Sequence, residues 1–248
     1  MNRQLLFMHV LAIETTTSHG SVALLDDEQL LTERPLEAQH YSRQLLPALS
    51  GLLQEHRLSL ASVGLFAVAS GPGSFTGCRV GLTAVKGLIE VLQAPAVPVS
   101  TLQAIASFSG GGSAMAALDA ARGEVYWGRY AADPSLFWAL PEQLRTDVGE
   151  EGLETVDAWA ARLAASSEPC WTPHAQLTAA LAATGASAAT LERLRAAPER
   201  LAPAVGRVGL RLFRAGYACD ALQLDARYLR RSDAEIFSAP KRLQRQGT

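Results

Sequence analysis

The sequence predicts an α/β protein of two lobes, each built on a mixed sheet, and three observations favour this fold. The first third of the chain reads as three strands, a helix, a strand, a helix and a strand. A Gly-rich segment at 110–113 then marks the predicted boundary between residues 1–109 and 110–248. A new strand pair, Ala114–Asp119 and Glu124–Tyr130, follows around the turn 120–123.

Apolar runs and turn residues define the elements of the first lobe. Five strands are predicted, at Met8–Ile13, Gly20–Leu25, Leu30–Arg34, Leu65–Ala69 and a short run that ends near Val99. Asp26, Asp27 and Glu28 supply the turn between the second and third strands. Helices are predicted over about His40–His56, where Pro47 predicts a kink, and over about Cys78–Gln93.

The second lobe is predicted to be reduced. A repeat of the first lobe would need three opening strands, and the sequence shows two clear ones. The remainder is Ala-rich, with helices predicted near Thr155–Ala165, His174–Ala183 and Ala204–Gly216.

Composition argues against several kinds of site and location. Three scattered cysteines without a CxxC motif predict reduced thiols. The five histidines form no HxxxH or HExxH pair, so no metal site is predicted in this chain. No apolar run has the length of a membrane span, and residues 1–7 lack the pattern of a signal peptide, which predicts a cytoplasmic protein without membrane contact.

The segment Ser70–Lys86, SGPGSFTGCRVGLTAVK, is the most informative part of the chain. Its glycines and Pro72 predict a bent loop that leads into a helix, whose free N–H groups could bind an anion. The spacing matches neither a Walker A loop nor GxGxxG. The alternative is a tight turn in which Ser74 or Thr76 caps the helix.

The helix that follows carries more apolar residues than one buried face needs. Its polar residues form a single stripe, made of Arg79, Thr83, Lys86, Glu90 and Gln93. This pattern predicts burial on two sides, within the lobe or against another chain. Gly77, Gly81 and Ala84 share one face and would let a partner helix approach closely.

Several segments resemble the TsaB family, also called YeaZ. They are LAIETTTSHGSVALL, QHYSRQLLPAL, SGPGSFTGCRVGLTAVKGL, STLQAIA, LDAARGEVYWGRY and ARYLRR, and they run from about Met8 to Tyr130 and resume near Asp225. The resemblance implies the two-lobed actin-like fold of the superfamily that contains sugar kinases and Hsp70. The strand and helix order of the first lobe agrees with that fold.

The resemblance also implies a role beside other proteins. Members of the family work with a paralogous catalytic subunit, TsaD, and an ATPase, TsaE, which together transfer threonylcarbamoyl to the tRNA adenosine beside the anticodon. The catalytic paralogue carries an HxxxH metal motif, which this chain lacks. We therefore expect a non-catalytic scaffold or activator without a cofactor of its own. ATP and a metal are expected in the partner subunits, tRNA is reached through the complex, and the chain alone is expected to form a homodimer.

Glu14 departs from the family pattern. Many relatives have Asp there, and in active members of the superfamily that carboxylate helps to place a metal–phosphate unit. Glu14, Thr15, Thr16 and Asp119 are therefore expected to form at most a vestigial nucleotide site. Asp119 resembles the counterpart carboxylate of the second lobe, but it also fits the first position of a hairpin turn.

Two alternatives to the helper role stay open. One is a stand-alone actin-like enzyme, a nucleotide-dependent phosphotransferase or a peptidase, that uses Glu14, Thr15 and Asp119. The other is direct tRNA contact by the basic C-terminal part, because residues 193–248 hold twelve Lys and Arg against five Asp and Glu. Solvated helix faces with a basic tail would explain the same charges.

The predicted partner interface lies on the two first-lobe helices, in a four-helix contact with the matching helices of TsaD. It comprises Leu45, Leu49 and Leu52 of the first helix, with Gly77, Arg79, Val80, Gly81, Ala84, Val85 and Leu88 of the second. Arg79 is expected at the rim, as an ion-pair partner.

Gly81→Arg is the variant that the sequence suggests as a test of this interface. We expect it to abolish heterodimer formation while the chain stays folded, because a bulky cation would hold the partner helix away. A normal complex on size-exclusion chromatography would exclude the surface.

Overall fold

The computed structural model describes residues 8–110, 112–131, 149–227 and 229–230. Within these ranges the chain forms two five-stranded mixed sheets with helices packed on them. No helix in the described ranges is long and apolar enough to cross a membrane.

The first sheet contains the five strands predicted for the first lobe. They are β1 His9–Glu14, β2 Ser21–Asp26, β3 Gln29–Pro35, β4 Leu65–Gly71 and β5 Ala96–Ser100, in the order β3-β2-β1-β4-β5. The first three strands form an antiparallel meander, and β1, β4 and β5 are parallel. Asp26 ends β2, so the turn to β3 is one residue shorter than predicted.

Three helices belong to the first lobe: α1 Tyr41–Glu55, α2 Phe75–Leu92 and α3 Thr101–Ala106. The face of α1 that the sequence predicted is the buried one, and Pro47 lies inside the helix. α2 begins three residues earlier than predicted because the Ser74 hydroxyl accepts a hydrogen bond from the Gly77 N–H and caps it. This confirms the capped turn at the Gly-rich loop.

The second sheet repeats the topology of the first. Its strands are β6 Ala114–Asp119, β7 Glu124–Tyr130, β8 Gly149–Thr155, β9 Cys170–Thr172 and β10 Leu194–Ala196, in the order β8-β7-β6-β9-β10. β6, β7 and β8 are antiparallel neighbours, whereas β6, β9 and β10 are parallel.

The second lobe has a third opening strand that the sequence did not show clearly. β8 is the third, and its sequence GEEGLET holds one large apolar residue, so no apolar run marks it. The lobe is reduced in the length of its elements, since β9 and β10 have three residues each. Its helices are α4 Val156–Ala165, α5 Gln176–Ala183, α6 Ala188–Leu191 and α7 Ala202–Arg214.

Each lobe covers the sheet of the other with one helix. α7 packs on the first sheet, opposite α1 and α2, while α3 packs on the second sheet through Leu102 and Ile105. Gly209 allows the close approach of α7, because a Cβ atom there would lie 2.5 Å from the Cβ of Ala67. The two lobes are therefore interlocked, and the boundary at residues 109 and 110 stays a prediction.

Candidate functional site

A cleft of about 500 Å³ lies between the two lobes. The β1–β2 turn and the loop before α2 line it from the first lobe, and the β6–β7 turn and His174 line it from the second. Thr16 and Asp119 border this cleft, whereas Glu14 and Thr15 are fully buried beneath its surface.

Glu14 closes the turn that follows β1. Its Oε1 accepts hydrogen bonds from the Thr16 and Thr17 N–H groups and, at 2.6 Å, from the Thr16 hydroxyl. Its Oε2 accepts a fourth, from the Thr17 hydroxyl at 2.8 Å. A buried carboxylate that is shared among four donors of its own turn does not fit a metal–phosphate group, because it presents no oxygen to the cleft.

The Glu14 turn, residues 14–17, is the seat of the α2 N-terminus. The Thr15 hydroxyl donates to the Gly77 carbonyl at 2.7 Å, and the Ser74 N–H donates to the Thr16 carbonyl at 2.7 Å. A Cβ at Gly77 would lie 1.8 Å from the backbone carbonyl oxygen of Thr15. The glycine is needed for backbone contact within the chain, so it gives no argument for phosphate binding.

Asp119 has the turn-starting role that the sequence left open. Its Oδ1 accepts a hydrogen bond from the Ala121 N–H at 2.8 Å, and its own N–H donates to His174 Nδ1 at 3.0 Å. Burial lowers the pKa of His174, which favours the neutral ring that accepts this bond. Among the described residues, no group of three His, Cys, Asp or Glu side chains could hold a metal ion.

Cys78 is the cysteine that lies nearest the Gly-rich loop. Burial raises the pKa of its thiol to about 12, and the thiol donates to the Ser70 carbonyl at 3.1 Å. The thiol therefore stays protonated at neutral pH, which is the reverse of what a catalytic cysteine needs.

Six of the ten residues predicted for the partner interface are buried in the chain itself. Leu45, Leu52, Gly77, Gly81 and Val85 are buried against the first sheet or the Glu14 turn, and Leu49 is 3% exposed. A Cβ at Gly81 would lie 2.6 Å from the Thr15 hydroxyl, so an arginine has no room there. The expectation that Gly81→Arg leaves the chain folded is therefore withdrawn, and this variant is not a clean test of partner binding.

The accessible part of the α1–α2 surface is an aliphatic ridge. We define this ridge as Leu46, Val80, Ala84, Leu88 and Val91, of which Leu46 is 53% and Val91 82% exposed. A groove of about 410 Å³ runs beside it, lined by Leu46, Leu49, Leu53 and Leu88. Arg79 is exposed at the N-terminal end of α2, with its guanidinium 3.9 Å from the centre of the Phe75 ring.

Leu46 and Val91 are the two ridge residues that sequence reasoning missed. The available signal was the excess of apolar residues on both helices beyond a single buried face. Periodicity identified the faces of α2 but not which face meets the sheet, and the predicted set therefore mixed inward and outward positions.

The described arginines of the basic C-terminal part are all engaged within the chain. Their acceptors are Leu163 O for Arg193, Glu192 O for Arg195, Glu33 for Arg200, Glu28 for Arg207 and Arg211, Asp27 for Arg214, Glu151 for Arg227 and Glu124 for Arg230. Between residues 193 and 230 the described arginines thus have acceptors within the chain, which weakens the case for a tRNA surface there. Residues 231–248 lie outside the described ranges.

Comparisons with known proteins show what this chain is similar to. Residues 35–151 match the family model of TsaD, described as tRNA N6-adenosine threonylcarbamoyltransferase. The chain is 36% identical over 135 residues to the tRNA threonylcarbamoyladenosine biosynthesis protein TsaB of Escherichia coli K12, a match that covers 53% of this chain and 58% of that protein. The corresponding Bacillus subtilis TsaB is 34% identical over 128 residues, or 50% and 55% of the two chains. The chain thus spans less than two thirds of the length of these curated relatives.

Solved structures extend the similarity to most of the chain. A Pseudomonas aeruginosa structure described as YeaZ superposes with a TM-score of 0.63 at 25% identity, covering 90% of this chain and 100% of that one. A second, described as an uncharacterized protein with similarity to peptidase YEAZ, gives a TM-score of 0.65 at 26% identity with the same coverage.

Two lobes of equal sheet topology, interlocked by two exchanged helices and separated by a cleft, define an actin-like protein. Its Glu14 carboxylate is turned into its own loop, away from that cleft. The curated relatives and the YeaZ structures narrow the class further. Within this class the chain is similar to the TsaB/YeaZ proteins.

The role of Glu14 can be tested by its effect on stability. Glu14→Ala leaves two backbone and two hydroxyl donors without their acceptor, and we expect it to lower the free energy of unfolding by about 3 kcal/mol. Glu14→Gln keeps the shape of the side chain and one acceptor oxygen, so we expect the free energy of unfolding to fall by only about 1 kcal/mol. Urea denaturation measures both. Equal stability of Glu14→Ala and the parent would contradict the turn-closing role.

Proposed function

We propose that this chain is a non-catalytic scaffold or activator of the TsaD-containing complex that installs threonylcarbamoyl on the tRNA adenosine beside the anticodon. The observation that carries the proposal is the aliphatic ridge on α1 and α2, in which Leu46 and Val91 are exposed to water beside an open groove. The curated relatives are named for tRNA threonylcarbamoyladenosine biosynthesis, which supports the same pathway.

A paralogous actin-like subunit is the partner that the ridge fits best. The match of residues 35–151 to the TsaD family model includes α1 and α2, so a TsaD-type chain would present matching helices to this surface. Two helices from each chain would then pack as a four-helix contact, with Ala84 allowing close approach. In the absence of that partner, the same surface of a second copy would cover the ridge as a homodimer.

The remaining parts of the proposal concern the other components. The chain would bind no cofactor itself, ATP and a metal would be bound by TsaD-type and TsaE-type subunits, and tRNA would be reached through the complex. This reaction belongs to the cytoplasm, where we place the protein.

The stand-alone enzyme is not favoured. Glu14 is closed into its turn and Cys78 is a protonated, buried thiol. One Pseudomonas aeruginosa structure is described by its similarity to a peptidase. At the cleft of this chain, the Ser18 hydroxyl lies 3.2 Å from His19 Nδ1, but the two are adjacent residues of the β1–β2 turn and both are exposed to solvent.

Reconstitution tests the proposal directly. Purified TsaD-type and TsaE-type subunits and the adenylate-forming enzyme are incubated with tRNA, ATP, threonine and bicarbonate, with and without this chain. We expect modified tRNA only when the chain is present. Equal modification without it would reject the proposal, and ATP turnover by the chain alone would favour the enzyme alternative.

Ala84→Arg is the variant that connects the reaction to the ridge. An arginine buried against apolar side chains would be an unpaired charge, so we expect binding to the TsaD-type subunit to weaken at least about tenfold, with a matching loss of modification. Glu90→Arg is the control, because Glu90 lies on the exposed polar stripe of the same helix and the substitution changes the charge more. Equal loss in both variants would mean a general charge effect and would contradict the assignment of the ridge.

A further inference from the structure

The segment that follows α7 runs back across the first lobe as a strap, which we define as residues 217–227. Cys219 pairs with Ala96 at the free edge of β5, and its N–H donates to the Ala96 carbonyl at 2.9 Å. Leu224 is fully buried in the core beneath α1 and α2. At the end of the strap, the Arg227 N–H donates to the Ser70 carbonyl at 2.7 Å. The strap is thus attached to the first lobe at three points.

The side chain of Arg227 reaches the second lobe. Its Nη2 lies 3.3 Å from Oε2 of Glu151 on β8, a carboxylate whose side chain is 2% exposed. The other oxygen of Glu151 accepts hydrogen bonds from the Ser100 hydroxyl at 2.6 Å and the Tyr130 hydroxyl at 2.5 Å. Ser100 ends β5 of the first lobe and Tyr130 ends β7 of the second.

Glu151 is therefore a buried charge at which both lobes and the strap meet. Burial and the adjacent Glu151 carboxylate raise the pKa of Tyr130, so its hydroxyl stays protonated and remains a donor. Arg227 is the cation paired with Glu151, and it is 24% exposed. Removing one member of a buried ion pair leaves the other charged and desolvated, which is far more costly than the loss of a surface pair.

The strap also touches the loop that leads into α2. A Cβ at Gly71 would lie 2.7 Å from the carbonyl oxygen of Arg227, and Gly71 has a φ of +105°, which favours glycine. The Glu14 turn holds this loop from one side and the end of the strap covers it from the other.

We propose that the strap is a clasp, closed by the Glu151–Arg227 ion pair, that fixes the angle between the two lobes and the position of the loop before α2. The β1–β2 and β6–β7 turns border the cleft from opposite lobes, so the same clasp sets the width of the cleft. Opening of the clasp would free the lobes to rotate about the exchanged helices α3 and α7. The inference concerns how the lobes are held and does not depend on the proposed partner.

Distance measurement between spin labels tests the clasp. Labels are placed on cysteines at Gln29 in the first lobe and Ala158 in the second, which are both exposed. Cys219 is changed to Ser, while Cys78 and Cys170 are buried and remain. We expect one narrow distance distribution in the parent chain. Arg227→Met should broaden or shift it, and Arg227→Lys, which keeps the charge, should restore most of the parent distribution.

Arg129→Met is the matched control, because it removes an ion pair with Glu168 that lies entirely within the second lobe. It should leave the distribution unchanged. Hydrogen exchange gives an independent measurement. In Arg227→Met the backbone amide of residue 227 should exchange at least tenfold faster than in the parent chain, while amides in the centre of β1 stay protected.

Two results would overturn the proposal. One is a parent-like distance distribution in a folded Arg227→Met variant. If Arg227→Met does not fold, Glu151→Gln, which keeps the shape of the side chain and removes its charge, is measured instead. The second result that would overturn the proposal is an unchanged distance distribution in Glu151→Gln. Broadening in either variant, with Arg129→Met unchanged, supports it.

Discussion

The contact between the Glu14 turn and the N-terminus of α2 is the constraint on which the rest of the structure depends. Four hydrogen bonds to one buried carboxylate fix the turn. The carbonyl of Thr16 then packs against Gly73 in the loop before α2, and the carbonyl of Thr15 packs against Gly77 in the first turn of α2. Such hydrogen bonds to a buried carboxylate are strong, and they satisfy the buried N–H groups of Thr16 and Thr17. The position of α2, and with it the ridge, follows from this turn.

The same contact agrees with the partner-subunit role that we propose for this actin-like framework. In this fold the first turn of each lobe borders the cleft, and here both turns are closed on themselves, by Glu14 in one lobe and Asp119 in the other. The space beside the glycines, through which a phosphate would approach, is occupied by the protein's own backbone. What the chain presents outward is aliphatic surface on α1 and α2, and the strap and exchanged helices hold the two lobes as one body behind it.

Most of the first lobe could be predicted because its strands are apolar runs and its turns are polar. The strand pair 114–119 and 124–130 was also predicted at its observed bounds. β8 could not be predicted in this way, since its charged residues are stabilised by pairing with β7 and by ion pairs such as Glu154 with Arg162. The TsaB/YeaZ resemblance, read from the sequence motifs, is confirmed by the curated relatives and the solved structures.

Site residues were harder to predict than elements. The sequence selected α1 and α2, but it could not show that Gly81 faces Thr15 while Val91 faces solvent. Nor could it show that the Glu14 carboxylate is hydrogen-bonded within its own turn. Glu is one methylene longer than Asp, and where its carboxylate lies depends on the positions of the surrounding donors, which the sequence does not give. The Glu151–Arg227 pair joins residues 76 positions apart in sequence. No local pattern marks Glu151, and Arg227 is marked only as part of the segment ARYLRR, which does not indicate its partner.

Site-specific photo-crosslinking tests the central claim, that the ridge is the surface that meets the partner. A benzophenone amino acid is placed at Val91 on the ridge, or at Ala158, which is exposed on α4 of the second lobe, and each chain is irradiated with a TsaD-type subunit. The ridge predicts a crosslinked heterodimer from Val91 and none from Ala158. Crosslinking from Ala158 with none from Val91 would place the partner on the second lobe and contradict the role given to α1 and α2.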